Sequence, residues 1–191
     1  MKRLSMPRLM LSCALNAVLA SVFCQILNVG SAFITTQWWS RAIVLICDVG
    51  LYISLLYASM WKHGDKDHNL AAFGHIKPDL YRGFVAAVPV SAFYFVLSVL
   101  MILEKLSIVP SYFLYSFRLL CPQLMQLYNI QLPLKEQFTS GTLTAISWPL
   151  LLICCLLSVL LPLITYGVAF LFGYRGVQLG DRLVYQKKKM D

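Results

Sequence analysis

The chain is a succession of long uncharged apolar runs separated by short charged ones. No charged residue occurs between Arg8 and Arg41, and Leu9 to Ile34 is almost wholly apolar. A second run extends from Trp38 to Trp61 and carries only Arg41 and Asp48. A third lies between Arg82 and Glu104, and a fourth falls in a charge-free stretch from Gln137 to Tyr174. A helix needs about 20 apolar residues to cross the hydrocarbon core of a bilayer. Each run supplies them, so the pattern predicts spans over residues 9–34, 38–61, 83–103 and 144–172. The runs lack the polar–apolar alternation of a transmembrane β-strand. The expected fold is an all-α integral membrane protein, a single membrane domain with four transmembrane helices.

Proline and tryptophan refine the picture. Trp38-Trp39 and Trp61 bracket the second span, as interfacial indoles do, and Thr35, Thr36 and Gln37 leave room for only a tight turn after the first span. Pro78 suits the first turn of the third helix, Pro89 should kink it, and Pro149 and Pro162 should bend the last. Residues 104–141 are apolar and aromatic but are interrupted by Pro110, Arg118, Pro122 and Pro133. A fifth span centred near Arg118 is one reading. An interfacial or re-entrant segment of half-helices is preferred, because the prolines interrupt every 20-residue run.

Composition agrees with lipid as the solvent. Of 191 residues, 59% are hydrophobic and 13% charged, whereas a soluble domain carries about 25% charged residues. Mean hydropathy is +0.72. The basic start followed by an apolar run invites a signal-peptide reading, but such an apolar region spans only about 7–15 residues. No small-x-small site closes the run, and Phe23 before Cys24 makes a poor lipobox, so an uncleaved first helix is expected. The six cysteines lie mostly in apolar runs without a C-x-x-C and read as small buried hydrophobes. No cofactor and no metal centre is expected.

The net charge of +8 informs topology. Lys2, Arg3 and Arg8 precede the first span. Lys62, Lys66, Lys77 and Arg82 lie in a loop over residues 62–82, and Arg175, Arg182, Lys187, Lys188 and Lys189 in a tail over residues 173–191. With four spans, these twelve of the sixteen basic residues share one side, which the positive-inside rule makes the cytoplasm. A fifth span would put the triple lysine outside. Both termini are therefore expected in the cytoplasm, and the generic resemblance is to small bacterial multi-span proteins, so the expected location is a bacterial plasma membrane. The basic tail should attract anionic headgroups at about 1 kcal/mol per charge near the surface. Nucleic acid is not an expected partner.

Two groups of residues carry candidate chemistry. Asp48 lies ten residues past Trp38, about 15 Å along a helix rising 1.5 Å per residue, hence near the bilayer midplane, where charged side chains usually face a protein interior. With the turn centred between Thr36 and Gln37, Gln25 falls opposite Asp48. Ser21, Gln25 and Asn28 share a face of the first helix, and Arg41 shares a face with Asp48. Asp48, Arg41, Gln25 and Asn28 thus form either a polar track for an ion, proton or polar ligand, or a hydrogen-bonded glue between helices. The second group is His63, Asp65, Asp67, His68, His75 and Asp79 in the 62–82 loop. All are competent metal ligands, but their spacing matches no known motif and Lys62, Lys66 and Lys77 oppose cation binding. A solvated, topology-setting loop with turns at Gly64-Asp65 accounts for them without chemistry.

Tyr-Arg-Gly occurs at residues 81–83 and 174–176, a repetition that interfacial anchoring explains. No P-loop, G-x-S-x-G or dinucleotide-binding glycine pattern is present, so no catalytic residue is expected. Three functions remain. The leading one is a non-enzymatic accessory or regulatory subunit acting by contact with a membrane-protein partner or another copy of itself. The others are a small transporter or channel subunit using Asp48, and a membrane enzyme acting on lipid headgroups through the His/Asp loop.

Overall fold

The computed structural model describes residues 3–33, 37–109, 113–129, 143 and 146–176. Among them there is no strand. The elements are α1 (Met6–Gly30), α2 (Trp38–Ala72), α3 (Arg82–Lys105), α4 (Phe113–Leu120), α5 (Met125–Asn129) and α6 (Trp148–Tyr174), with a 3₁₀ turn over Pro122–Leu124. Four of these helices, α1, α2, α3 and α6, are long and apolar enough to cross a membrane. The chain is an all-α membrane protein.

Helix starts follow from proline and serine. Ser5 and Ser147 adopt extended backbone ahead of α1 and α6, and each of these helices has a proline in its first two positions. There proline's missing N–H costs nothing. Pro149 therefore begins α6 instead of bending it, and only Pro162 lies inside the helix. Pro89 lies inside α3 as expected, whereas Pro78 sits in the exposed turn before Arg82, not in the helix.

The largest departure from the sequence pattern is in α2. Its apolar part ends near Trp61, but the helix continues through residues 62–72, which the hydropathy pattern assigns to a loop. Charged residues do not break a helix, and no proline occurs in this stretch. Termination comes at Gly74, whose φ of 73° is a left-handed conformation that a glycine adopts without strain. His75 N–H donates to Leu70 O at 2.9 Å and Gly74 N–H to Ala71 O at 3.0 Å, the paired bonds of a Schellman stop. The connecting loop is thus residues 73–81.

α6 is the central helix, packed on α2 and α3. Small side chains line the interfaces: Ala20, Ala86, Ala87 and Ala169 are wholly inaccessible, as close packing between helices in lipid requires. The closest approach pairs Gly64 of α2 with Gly173 of α6. A Cβ on Gly173 would meet the carbonyl of Trp61 and the amide of Asp65, and one on Gly64 would meet Phe170 O and Tyr174 N. These are backbone atoms that no rotamer change can move aside. Gly64 is thus a packing position within a helix, not a turn. Gly173→Leu is expected to separate α2 from α6 and lower stability by about 3 kcal/mol or more, read as a fall in the thermal unfolding midpoint in mild detergent. The outward face is apolar: Leu11, Leu15, Val18, Leu19, Val22 and Ile26 of α1 are each at least half exposed, a surface suited to lipid contact.

Candidate functional site

Between α3 and α6 the chain re-enters the bundle. α4 can extend only to Leu120, because Pro122 lacks an N–H and its ring would collide with the preceding turn. Cys121 breaks the helix with φ −126° and ψ 53°, and the chain returns through the 3₁₀ turn and α5. Tyr94, midway along α3, reaches the break, so the apex lies deep in the bundle. Broken backbone at membrane depth requires internal partners for the carbonyls and amides it frees.

Side chains supply them. Glu104 Oε2 accepts from Leu114 N–H at 2.9 Å at the start of α4, a carboxylate at the positive end of a helix. At the apex, Leu120 O accepts from the hydroxyls of Ser21 and Tyr94, each at 3.4 Å. The Tyr94 hydroxyl also lies 3.4 Å from that of Tyr52. Pro122 O accepts from Asn28 Nδ2 at 3.1 Å. At the end of α5, Asn129 O accepts from Arg41 Nη1 at 2.5 Å. The neighbouring Lys105 donates to the carbonyls of Leu143 and Ile146 just before α6. Two adjacent residues at the end of α3 thus serve both flanks of the re-entrant segment.

Asn28 is the hub. Its Nδ2 also donates to Cys24 O at 2.9 Å and to Asp48 Oδ2 at 2.8 Å, and its Oδ1 accepts from Gln126 Nε2 at 2.7 Å. One amide joins α1 and α2 to the apex and return leg of the re-entrant segment. Asp48 is fully buried, and the residue bound to its carboxylate is Asn28, not Gln25. The expected pairing misses by three residues: the α1 residues facing Asp48 are Cys24 and Asn28. Gln25 instead turns toward a groove of about 580 Å³ between α1, α3 and α4, lined among others by Ser21, Pro89, Phe93 and Tyr94. Asp48 does not line that groove. Arg41 is occupied with Asn129 O.

At the opposite end of the bundle, Asp67 is 3% exposed and receives two arginines on the same oxygen. Arg3 Nε lies 3.1 Å from Oδ2, and Arg82 Nη1 donates to the same atom. Arg82 Nη2 also donates to Leu4 O. The start of α1, the extension of α2 and the start of α3 are thereby tied at one carboxylate. The other residues expected in the loop do not converge. His63 and Asp65 are half-buried two positions apart on α2, His68 is exposed with its ring edge-on to Tyr174 at 5.7 Å, and His75 and Asp79 are exposed in the 73–81 loop. No group of three or more His, Cys, Asp or Glu poised to hold a metal occurs among the described residues. Arg175 is exposed at the end of α6; Arg182, Lys187, Lys188 and Lys189 lie outside the described residues, as do Thr35 and Thr36.

Hydropathy missed several side chains that hold the re-entrant segment and the Asp67 clamp. Glu104 and Lys105 read as a span boundary, and Arg82 as a topology charge. Gln123, Gln126 and Asn129 recur every third residue in an apolar segment, a polar stripe that was available as a signal but was overshadowed by the prolines. Comparison of the chain with family models, curated proteins and solved structures finds no match to any of them.

Proposed function

We propose that the protein is a non-enzymatic accessory subunit of a membrane complex, working by contact. It sits in a bacterial plasma membrane with its basic end in the cytoplasm and its tail near anionic headgroups. The observation that carries this reading is the build of the basic end. α2 runs beyond its apolar part through residues 62–72, about 16 Å at 1.5 Å per residue. The extension is fixed by the Asp67 clamp and the Gly64–Gly173 crossing. It carries a loop on which Phe73 is 77% and Tyr81 74% exposed, with Leu80 also open. Large apolar side chains on a braced, charged projection are what a protein partner buries at the centre of an interface, with charges at its rim. The positive-inside distribution supports the orientation.

The test is purification from native membranes in mild detergent, wild type beside the triple variant Phe73→Ser, Leu80→Ser, Tyr81→Ser. A stoichiometric partner with the wild type, reduced at least about tenfold with the variant, is expected, since losing apolar anchors typically removes more than 1.4 kcal/mol of binding. A partner held equally by both, or none at stoichiometric amount with the wild type, overturns the reading.

A further inference from the structure

The groove between α1, α3 and α4 opens on the lipid-facing surface. Its rim is Val18, Val22 and Ile26 of α1, Phe93 of α3 and Leu119 of α4, each at least half exposed. Ala17 and Val90, both buried, form its floor. On α1 the lining runs from Ala14 to Ile26 at helical spacing, about 18 Å. The volume of about 580 Å³ is therefore drawn out along a spanning helix, parallel to the hydrocarbon chains of the bilayer around it. Left empty, such a slot would deprive its walls of contact atoms.

Polarity fixes which way an occupant lies. Three polar residues line the groove, Ser21, Gln25 and Tyr94. The hydroxyls of Ser21 and Tyr94 are spent on Leu120 O at the re-entrant apex, which leaves the middle of the slot apolar. Gln25 stands one turn further along α1, and its Oε1 is buried without a hydrogen-bond partner. It lies five residues before the end of the helix at Gly30, about 8 Å. The 25 residues of α1 span about 37 Å, against a hydrocarbon core about 30 Å thick. Gln25 thus falls just inside the hydrocarbon boundary at the end of the bundle away from Asp67, and Ala14 falls past the midplane. The polar linkage of a lipid sits at such a boundary, and its chains run from there toward the midplane.

We propose that the groove holds one acyl chain of a phospholipid from the leaflet opposite the Asp67 clamp, with the glycerol ester at Gln25. The ester carbonyl accepts from the Gln25 amide, whose oxygen no partner in the bundle holds. The chain covers Leu119 and Leu120 and so closes the lipid side of the re-entrant apex. On the orientation proposed above that leaflet is the outer one; the site itself is independent of the contact function.

The full chain is solubilised in a steroid-based detergent, whose fused rings cannot replace an extended chain, and washed until its phospholipid content is constant. Mass spectrometry should then count one phospholipid per chain in the wild type. Val22→Trp adds bulk at the rim and should cut the retained lipid at least about tenfold. Leu19→Trp, at an exposed position of α1 outside the groove, should leave it unchanged. Gln25→Leu should weaken retention about threefold, the worth of one hydrogen bond at membrane depth. After full delipidation, dioleoylphosphatidylglycerol and dioleoylphosphatidylcholine should raise the wild-type unfolding midpoint alike, by about 5 °C near saturation, and inorganic phosphate should not. That titration needs no variant, so the proposal stays testable if Val22→Trp does not fold. No retained phospholipid and no shift with either lipid overturn it, as does equal retention by Val22→Trp and Leu19→Trp. A shift with the anionic lipid alone overturns it too, assigning the lipid to the basic tail. A wild-type dimer in light scattering that Val22→Trp dissociates gives the groove to a second copy of the chain and overturns it equally.

Discussion

Asp67→Ala is expected to destabilise the protein by about 3–5 kcal/mol, because it strands a buried arginine without its counter-charge. Arg82 is 5% exposed, and its guanidinium is divided between Asp67 and Leu4 O. Without the carboxylate it either stays buried and unpaired or withdraws toward water, pulling the start of α3 off α2. Arg3 loses the same oxygen. The cost belongs to breaking the pair and is not a measure of its net worth. The double variant Asp67→Leu, Arg82→Met, which replaces both charges with apolar groups, should recover most of the loss. Asp65→Ala, two positions along the same helix and half-buried, is the control and should change stability by no more than about 0.5 kcal/mol. Thermal and denaturant unfolding in mild detergent measures all three. Equal effects at Asp65 and Asp67 would show that the charge at Asp67 is solvated and that the clamp does not brace the projection.

What the sequence revealed and concealed divides along physical lines. The four long helices were legible because lipid forces about 20 apolar residues on any span. That constraint is local. The re-entrant segment was legible in kind, since Pro122 breaks any helix through Arg118, and α4 does end at Leu120. Helix length beyond the membrane was not legible from hydropathy. Residues 62–72 are polar, and polarity reports solvent, not backbone conformation. The stop at Gly74 was the available cue. Partnerships were the hardest to read. Asp48 was expected opposite Gln25, and a slip of one helical turn gives it Asn28 instead. Register across a helix pair depends on how the two helices cross, which no local run of residues encodes. Arg41 shared a face with Asp48 in sequence, yet its guanidinium bonds to a carbonyl 88 residues on, a pairing that only the returning chain creates.

Asn28→Leu should release the re-entrant segment, whereas Asp48→Asn should leave it in place. Leucine is close to asparagine in size but donates nothing. Pro122 O and Asp48 Oδ2 lose the donor they share, and Gln126 Nε2 loses its acceptor. Single interhelical hydrogen bonds in membranes are worth about 0.6 kcal/mol on average and up to about 1.7, while stranded buried groups cost about 1–3 kcal/mol each. For three bonds at one hub a loss of about 2–4 kcal/mol follows. Asp48→Asn keeps an oxygen for Asn28 and so retains the tie between α1 and α2. Cys121 reports the difference directly. It sits at the helix break, fully buried and free, and is reached by a membrane-permeant thiol reagent only when the segment swings out. Alkylation of the Cys121 peptide, quantified by mass spectrometry beside the exposed Cys47 as internal reference, should be slow in wild type and Asp48→Asn and at least about tenfold faster in Asn28→Leu, as a population shift of 1.4 kcal/mol or more requires. If Asn28→Leu leaves Cys121 protected, then Glu104 and Arg41 at the two ends, and not the hub at the apex, hold the segment in the bundle.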